Sequence, residues 1–141
     1  MKHREYIRGC AANIDAGNLD AQLGLAKVYE AKGQVKDALA MYDPVWRQGR
    51  GDIACEAAFR VGMMAFRSKD YKAALPMFAR LLFSIEPAAE EAAFRAAQCH
   101  DALGNVDQAR SAYTGYIKRF KDGKFVGQAK RRLAVLPAAP Q

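Results

Sequence analysis

The sequence has little cysteine and histidine. Its three cysteines, Cys10, Cys55 and Cys99, lie far apart and form no C-x-x-C motif, so the sequence indicates neither a disulfide framework nor a zinc site. We expect reduced thiols. His3 and His100 are the only histidines, and a metal site would need distant carboxylates to complete it. We therefore predict that the protein binds no metal and needs no cofactor.

Motifs of catalysis and nucleotide binding are also absent. The sequence contains no G-x-S-x-G, no phosphate-binding loop, no H-E-x-x-H and no glycine-rich nucleotide fingerprint. Glu90 and Glu91 stand at the start of a predicted helix, where the helix dipole accounts for acidic residues without acid–base chemistry. We predict that the protein is not an enzyme.

Long hydrophobic runs are missing as well. No window reaches the 18 or so consecutive apolar residues of a membrane-spanning helix, and the first six residues lack the apolar core of a secretory signal. The sequence as written predicts a cytoplasmic protein. If the chain is a fragment of an exported protein, a periplasmic or envelope-associated location is the alternative.

The 141 residues are 51% hydrophobic and 26% charged, which is typical of one globular domain. The net charge of +7 is not spread evenly along the chain. Residues 1–109 hold fourteen basic and fourteen acidic residues, whereas residues 110–141 hold eight basic residues and one acidic residue. The basic character therefore belongs to the C-terminal end.

A three-residue pattern recurs at offsets of 36 and 35 residues. It consists of a turn residue, an alanine five positions later and an aromatic residue four positions after the alanine. The three copies are Gly33, Ala38 and Tyr42; Lys69, Ala74 and Phe78; and Gly104, Ala109 and Tyr113. The alanine allows two helices to approach closely, and the aromatic residue fills the gap one turn later. The period therefore predicts stacked helix pairs.

Apolar periodicity and capping signals divide the chain into eight predicted helices. They lie near residues 4–15, 20–32, 35–48, 53–68, 71–85, 88–103, 106–121 and 124–136. Gly33 and Gly104 are predicted helix stops, and Asn105 with Gln108 is a predicted capping box. Pro44 and Pro76 predict kinks in two of the helices. No stretch alternates like a strand, so we predict an all-α protein.

The repeating units resemble the tetratricopeptide repeat. In that family a helix pair carries a Leu-Gly-like pair, an aromatic residue, a turn glycine, an alanine and a second aromatic residue. The first unit has all of these elements in order: Leu25, Ala26, Tyr29, Gly33, Ala38 and Tyr42. The second unit, with Val61-Gly62, has Lys69 in place of the turn glycine, and the third, with Ala96-Ala97, has His100 in place of the first aromatic residue.

The resemblance implies a right-handed superhelical solenoid of antiparallel helix pairs, with repeats at about 19–51, 55–87 and 90–122. Residues 4–15 would form an N-terminal half-repeat, and residues 124–136 would form a capping helix. We predict a single domain over residues 1–136, followed by a disordered tail at 137–141. The C-terminal segment also resembles repeats of bacterial envelope proteins associated with the Tol–Pal system, which points to a bacterial source.

The resemblance further implies a concave groove, lined by the first helix of each pair, that binds a peptide or helix of a partner protein. The positions carried over to this groove are Leu23, Lys27, Glu30, Phe59, Met63, Phe66, Arg67, Phe94, Arg95, Gln98 and Asp101. The alternative is that these residues pack between helices. Only Arg95 matches the carboxylate clamp of co-chaperones, so we predict no such clamp.

A basic patch at the C-terminal end is a second candidate surface. It comprises Lys118, Arg119, Lys121, Lys124, Lys130, Arg131 and Arg132. Such a patch could meet an acidic protein, an anionic membrane surface or nucleic acid, although no nucleic-acid-binding motif accompanies it. The alternative is a solvated helix face. A further hypothesis is self-assembly, in which terminal repeats of different copies stack into a homo-oligomer.

Overall fold

The computed structural model describes residues 16–84 and 88–137, and within these ranges every regular element is a helix. The seven helices are α1 (Ala16–Ala31), α2 (Val35–Gln48), α3 (Gly51–Arg67), α4 (Tyr71–Arg80), α5 (Ala88–Ala102), α6 (Val106–Arg119) and α7 (Val126–Val135). The predicted all-α helical repeat fold is confirmed. The predicted helix at 4–15 and residues 138–141 of the predicted tail lie outside the described residues.

The chain divides into two compact units, residues 1–58 and 59–141, and the boundary falls within α3. In the N-terminal unit α1 packs against α2. In the C-terminal unit α5 packs against both α4 and α6, and α6 packs against α7. The single domain predicted over residues 1–136 stays a prediction. None of the helices described is long and apolar enough to cross a membrane.

Each pair buries the same three positions, which lie on its second helix or, for Leu81, directly after the end of that helix. These positions are the repeated alanine, the aromatic residue four positions later and a third residue seven positions after the alanine. They are Ala38, Tyr42 and Val45; Ala74, Phe78 and Leu81; and Ala109, Tyr113 and Tyr116, and each is at most 1% exposed. The spacing of four and three residues places all three on one helix face. The recurring pattern therefore marks the core of each pair.

Gly62 allows α3 and α4 to approach closely. A Cβ atom at this position would lie 2.9 Å from a ring carbon of Phe78 and 3.1 Å from Cβ of Met77. Ala26 and Ala97, which occupy the same repeat position, are fully buried. All three repeats therefore place a small residue on the first helix where the second helix needs space.

The turns inside the three pairs share one geometry. Gly33, Lys69 and Gly104 have φ angles of 79°, 66° and 80°, which lie in the left-handed region that favours glycine. In each turn the amide of the next residue donates to the carbonyl five residues before it, at 2.8–2.9 Å, as in a Schellman helix end. The predicted stops at Gly33 and Gly104 are confirmed, and Lys69 makes the same turn despite its side chain.

We expect Lys69→Gly to stabilise the protein by about 1 kcal/mol, because a non-glycine residue in the left-handed region is strained. The reciprocal change Gly104→Lys is expected to destabilise it by about the same amount. Urea unfolding followed by circular dichroism measures both. A loss of stability on Lys69→Gly would show that the lysine side chain makes a contact that outweighs the backbone strain.

Two local predictions are wrong. The Asn105 side chain does not cap α6, because its amide contacts Nδ1 of His100 at 3.5 Å instead. Helix α4 ends at Arg80, five residues before the predicted end, and residues 81–84 form turns in which the Leu81 and Ser84 amides donate to carbonyls three residues back. Helices α2 and α4 contain Pro44 and Pro76, and the kinks predicted there stay predictions.

Candidate partner-binding site

The predicted groove residues of the N-terminal unit are buried or paired within that unit. Leu23 is only 4% exposed and belongs to the core. The Lys27 ammonium lies 2.6 Å from a carboxylate oxygen of Glu56. Glu30 accepts a hydrogen bond from the Tyr42 hydroxyl at 2.5 Å. The structure therefore ties two of these three residues into polar pairs and places the third in the interior.

Phe94 lies in the core of the C-terminal unit, not on an open surface. Its side chain is 1% exposed and packs with Tyr113 and Tyr116. The Phe125 ring stacks on it with centroids 4.5 Å apart and an angle of 4° between the rings. Met63, also predicted to line the groove, is 9% exposed. The side chains of both residues are therefore largely buried beneath the surface of the C-terminal unit.

A contact across twelve residues fixes one predicted groove position in each pair. The Tyr113 hydroxyl donates to Oδ2 of Asp101 at 3.0 Å. In the first pair the Tyr42 hydroxyl donates to Glu30 in the same way. In the middle pair Phe66 and Phe78 replace the polar couple and meet edge to face, with centroids 6.4 Å apart. The same relation can be read in the sequence. An acidic residue stands twelve positions before a tyrosine in the first and third pairs, and one phenylalanine stands twelve positions before another in the middle pair. This pattern was not among the predictions from the sequence.

The Arg95 guanidinium lies close to three aromatic rings, those of Phe66, Phe94 and Phe125. Its guanidinium carbon lies 5.3 Å from the centroid of Phe66 and 5.2 Å from that of Phe125, distances at which a cation is attracted to a ring face. It also donates to a carboxylate oxygen of Glu91 at 3.0 Å and to Oε1 of Gln98 at 2.8 Å. Arg95 therefore orders its neighbours within the C-terminal unit.

Asp101 and Arg132 form a two-pronged ion pair between α5 and α7. Nε of Arg132 lies 2.7 Å from Oδ2 of Asp101, and Nη2 lies 2.9 Å from Oδ1. The hydrogen bond from Arg132 is the main cause that holds the pKa of the Asp101 carboxyl below its ordinary value. A residue predicted in the groove is thus joined to one predicted in the basic patch.

The ion pair predicts a pH dependence of stability. The pKa of Asp101 is lower in the folded protein than its unfolded value near 3.8. The ion pair therefore contributes its full stabilisation above the unfolded pKa, and this stabilisation is lost as the pH falls through the folded pKa. At pH 7 we expect the free energy of unfolding of wild type to be about 1 kcal/mol higher than that of Asp101→Asn. The difference is small because the ion pair is partly exposed. This difference should shrink below about pH 4.

Urea unfolding at a series of pH values measures this difference. Asp107→Asn is the control, because the Asp107 side chain is 68% exposed and forms a single ion pair within the described residues, with Arg110 at 3.2 Å. Its difference from wild type should stay small at every pH. A wild-type advantage over Asp101→Asn that persists unchanged to pH 2 would contradict the assignment.

An open cleft of about 450 Å³ lies beside the ion pair. Its lining residues are Phe66, Tyr71, Gln98, Asp101, Ala102, Tyr113 and Arg132. Three of them were predicted for the groove and one for the basic patch, whereas Tyr71, Ala102 and Tyr113 were missed. The rings of Phe66 and Tyr71 meet edge to face at 5.6 Å and form an apolar wall. The cleft thus combines an aromatic surface with amide and guanidinium groups.

The Glu90 carboxylate binds the turn before α7 through hydrogen bonds. Its Oε2 accepts from the Tyr116 hydroxyl and from the Lys124 amide, each at 2.8 Å. The same hydroxyl accepts from the Phe125 amide at 3.0 Å, and burial raises the pKa of Tyr116 to about 12. A Cβ atom on Gly123 would lie 2.5 Å from both Glu90 Oε2 and the Tyr116 hydroxyl. These hydrogen bonds attach the turn before α7 to α5 and α6.

All seven residues of the predicted basic patch are exposed, but three of them make structural contacts. One is the arginine of the ion pair described above. The second, Arg119, donates to the carbonyl of Leu82, and its guanidinium lies 4.8 Å from the Phe120 ring centroid. The third is Lys124, whose backbone amide donates to Glu90 and whose ammonium lies 5.6 Å from the Phe125 ring centroid. The remaining members, Lys118, Lys121, Lys130 and Arg131, add positive charge to this end of the chain.

Cys55 and Cys99, the cysteines within the described residues, take no part in a polar site. Cys99 is buried, and burial raises the pKa of its thiol to about 11, so it is protonated and poorly reactive at neutral pH. Cys55 is half-buried and free. In residues 16–84 and 88–137 no group of histidine, cysteine, aspartate and glutamate could hold a metal ion. Cys10 and His3 lie outside the described residues.

The sequence profile of the tetratricopeptide repeat matches residues 10–58 and 65–125, which together make up more than half of the chain. Comparison with curated proteins gave no match. Repeats of this kind are generally modules of protein–protein interaction and are generally non-catalytic.

Proposed function

Because the chain belongs to the tetratricopeptide repeat family, we propose that the cleft of its C-terminal unit binds a peptide or helical segment of another protein. The observation that carries the proposal is the convergence of Phe66, Gln98 and Asp101 in one open cleft. These three residues come from the first helices of two successive pairs. The first helices of such repeats line the surface that binds partners.

The cleft has the size and chemistry of a binding site for one or two side chains. A volume of about 450 Å³ falls within the range of ligand pockets, which combine apolar walls with a few polar groups. An apolar side chain of the partner would pack on Phe66 and Tyr71, and Gln98 and Arg132 would orient its backbone or polar groups. Arg67, which is exposed, and Phe59, which is half-buried, are proposed to extend this contact.

Selection of a phage-displayed peptide library on the immobilised protein tests the proposal. Ala102 is an exposed cleft residue at the last position of α5, so Ala102→Trp should fill the cleft without disturbing the core. We expect it to weaken selected peptides at least about tenfold, as loss of a central contact does.

Ala31 provides the matched control, because it is exposed and ends α1 as Ala102 ends α5. Ala31→Trp should leave peptide binding unchanged, and both variants should keep the circular dichroism spectrum and unfolding midpoint of wild type. Peptides that bind wild type and Ala102→Trp equally well would place the binding surface elsewhere.

A further inference from the structure

We infer that the partner segment in this cleft carries an aspartate or glutamate side chain close to an apolar residue. The inference rests on the proposed function and adds the chemistry of the ligand. It follows from which hydrogen-bonding groups around the cleft are already engaged, and from the charge of the chain that surrounds it.

Two side chains that line the cleft can donate further hydrogen bonds. Arg132 uses Nε and Nη2 on Asp101 and also interacts with the Tyr113 hydroxyl, while its other N–H groups donate to no further residue of the described ranges. Its side chain is 48% exposed. Gln98 accepts through Oε1, and its amide nitrogen likewise donates to no group in the part of the chain that the structure describes. Both side chains line the cleft.

The acceptor oxygens of Asp101 and Gln98, by contrast, already accept hydrogen bonds from side chains of the protein. Oδ1 of Asp101 accepts from Arg132, and Oδ2 accepts from both Arg132 and the Tyr113 hydroxyl. Oε1 of Gln98 accepts from Arg95. A lysine or arginine of a partner would share oxygens that are already engaged and would meet the positive charge of Arg132, whereas a carboxylate would meet the half-exposed guanidinium directly. Charge-assisted bonds from a guanidinium to a carboxylate are among the stronger hydrogen bonds.

The electrostatic surroundings favour the same ligand. Lys130 and Arg131 precede Arg132 on α7 and are exposed, and residues 110–141 hold eight basic residues against one acidic residue. A positive field of this kind attracts acidic segments and disfavours basic ones. The aromatic wall of Phe66 and Tyr71 lies in the same cleft, so the carboxylate and the apolar side chain must be near neighbours in the partner.

The test uses synthetic nonapeptides in a Gly/Ser background with a central Phe or Leu. Glu, Gln or Lys is placed two to four residues to either side, and both ends are blocked so that no terminal charge contributes. Binding is measured by fluorescence anisotropy at low and high salt. We expect the best Glu peptide to bind wild type about five- to tenfold more tightly than its Gln counterpart, with a preference that falls as salt rises.

Arg132→Gln should abolish the preference for Glu over Gln, and Arg132→Lys should keep part of it. Arg131→Gln is the matched control, because it removes an exposed arginine one position away on the same helix and should leave most of the preference intact. Circular dichroism and the unfolding midpoint establish that each variant is folded before binding is compared.

Two results would overturn the inference, and they differ in what they leave standing. If wild type binds the Gln or Lys peptides as tightly as the Glu peptide, or keeps the preference in Arg132→Gln, the ligand chemistry is wrong. Binding that is still lost in Ala102→Trp would then leave the proposed function intact. If no peptide distinguishes wild type from Ala102→Trp, both proposals fail.

Discussion

Replacing Phe94 with alanine is expected to lower the free energy of unfolding by about 3–5 kcal/mol, the usual cost of removing a buried phenylalanine. The ring is 1% exposed. It stacks on Phe125 and lies 6.0 Å and 5.6 Å from the centroids of Tyr113 and Tyr116. Its removal would leave a cavity that these three fixed rings cannot easily fill.

Phe83 supplies the control, because its side chain is 90% exposed. Phe83→Ala should change the free energy of unfolding by less than about 0.5 kcal/mol. Urea unfolding followed by far-ultraviolet circular dichroism compares the two variants with wild type. A Phe94→Ala protein as stable as Phe83→Ala, but unable to bind the selected peptides, would instead return Phe94 to the groove in which the sequence pattern placed it.

Gly123→Ala is expected to lower the free energy of unfolding by about 2–3 kcal/mol, the cost of losing charged hydrogen bonds in a partly buried turn. The added methyl group would lie 2.5 Å from Glu90 Oε2 and from the Tyr116 hydroxyl, and 3.0 Å from the Phe120 carbonyl. Glu90 could then no longer hold both the hydroxyl and the Lys124 amide. The start of α7 should therefore lose its attachment.

Gly127→Ala tests whether this loss is specific to the turn. At Gly127 a Cβ atom would make only an ordinary contact, 3.5 Å from Nη1 of Arg131. Alanine also favours a helix over glycine by about 1 kcal/mol, so this variant should be as stable as wild type or more stable. Equal destabilisation by both substitutions would show that the close approach around Gly123 is not what fixes α7.

The repeat could be predicted because its determinants are local. A turn residue, an alanine and an aromatic residue recur at nearly fixed spacing, and each copy needs only its own helix pair to be satisfied. The period therefore gave the helix pairs and the core aromatic residues Tyr42, Phe78 and Tyr113. It also marked Lys69 as equivalent to Gly33 and Gly104, and the left-handed φ angle of the lysine agrees with that equivalence.

The cleft could not be predicted, because it depends on contacts between residues far apart in sequence. Arg132 meets Asp101 across 31 positions, and Glu90 holds the turn before α7 across 26 and 34 positions. The sequence assigned Glu90 to the helix dipole and placed the two charges of the ion pair on separate surfaces. Neither residue type nor spacing reveals a contact of this kind.

The contact across twelve residues limits how the repeats can be exchanged. The first and third pairs join a tyrosine to an acid, whereas the middle pair joins two phenylalanines. A second helix transplanted between the two kinds would leave a buried hydroxyl or carboxylate against an aromatic ring, at a cost of about 1–3 kcal/mol. Shuffled or lengthened versions of this protein must therefore transfer whole hairpins, with the outer two as one interchangeable class and the middle one as another.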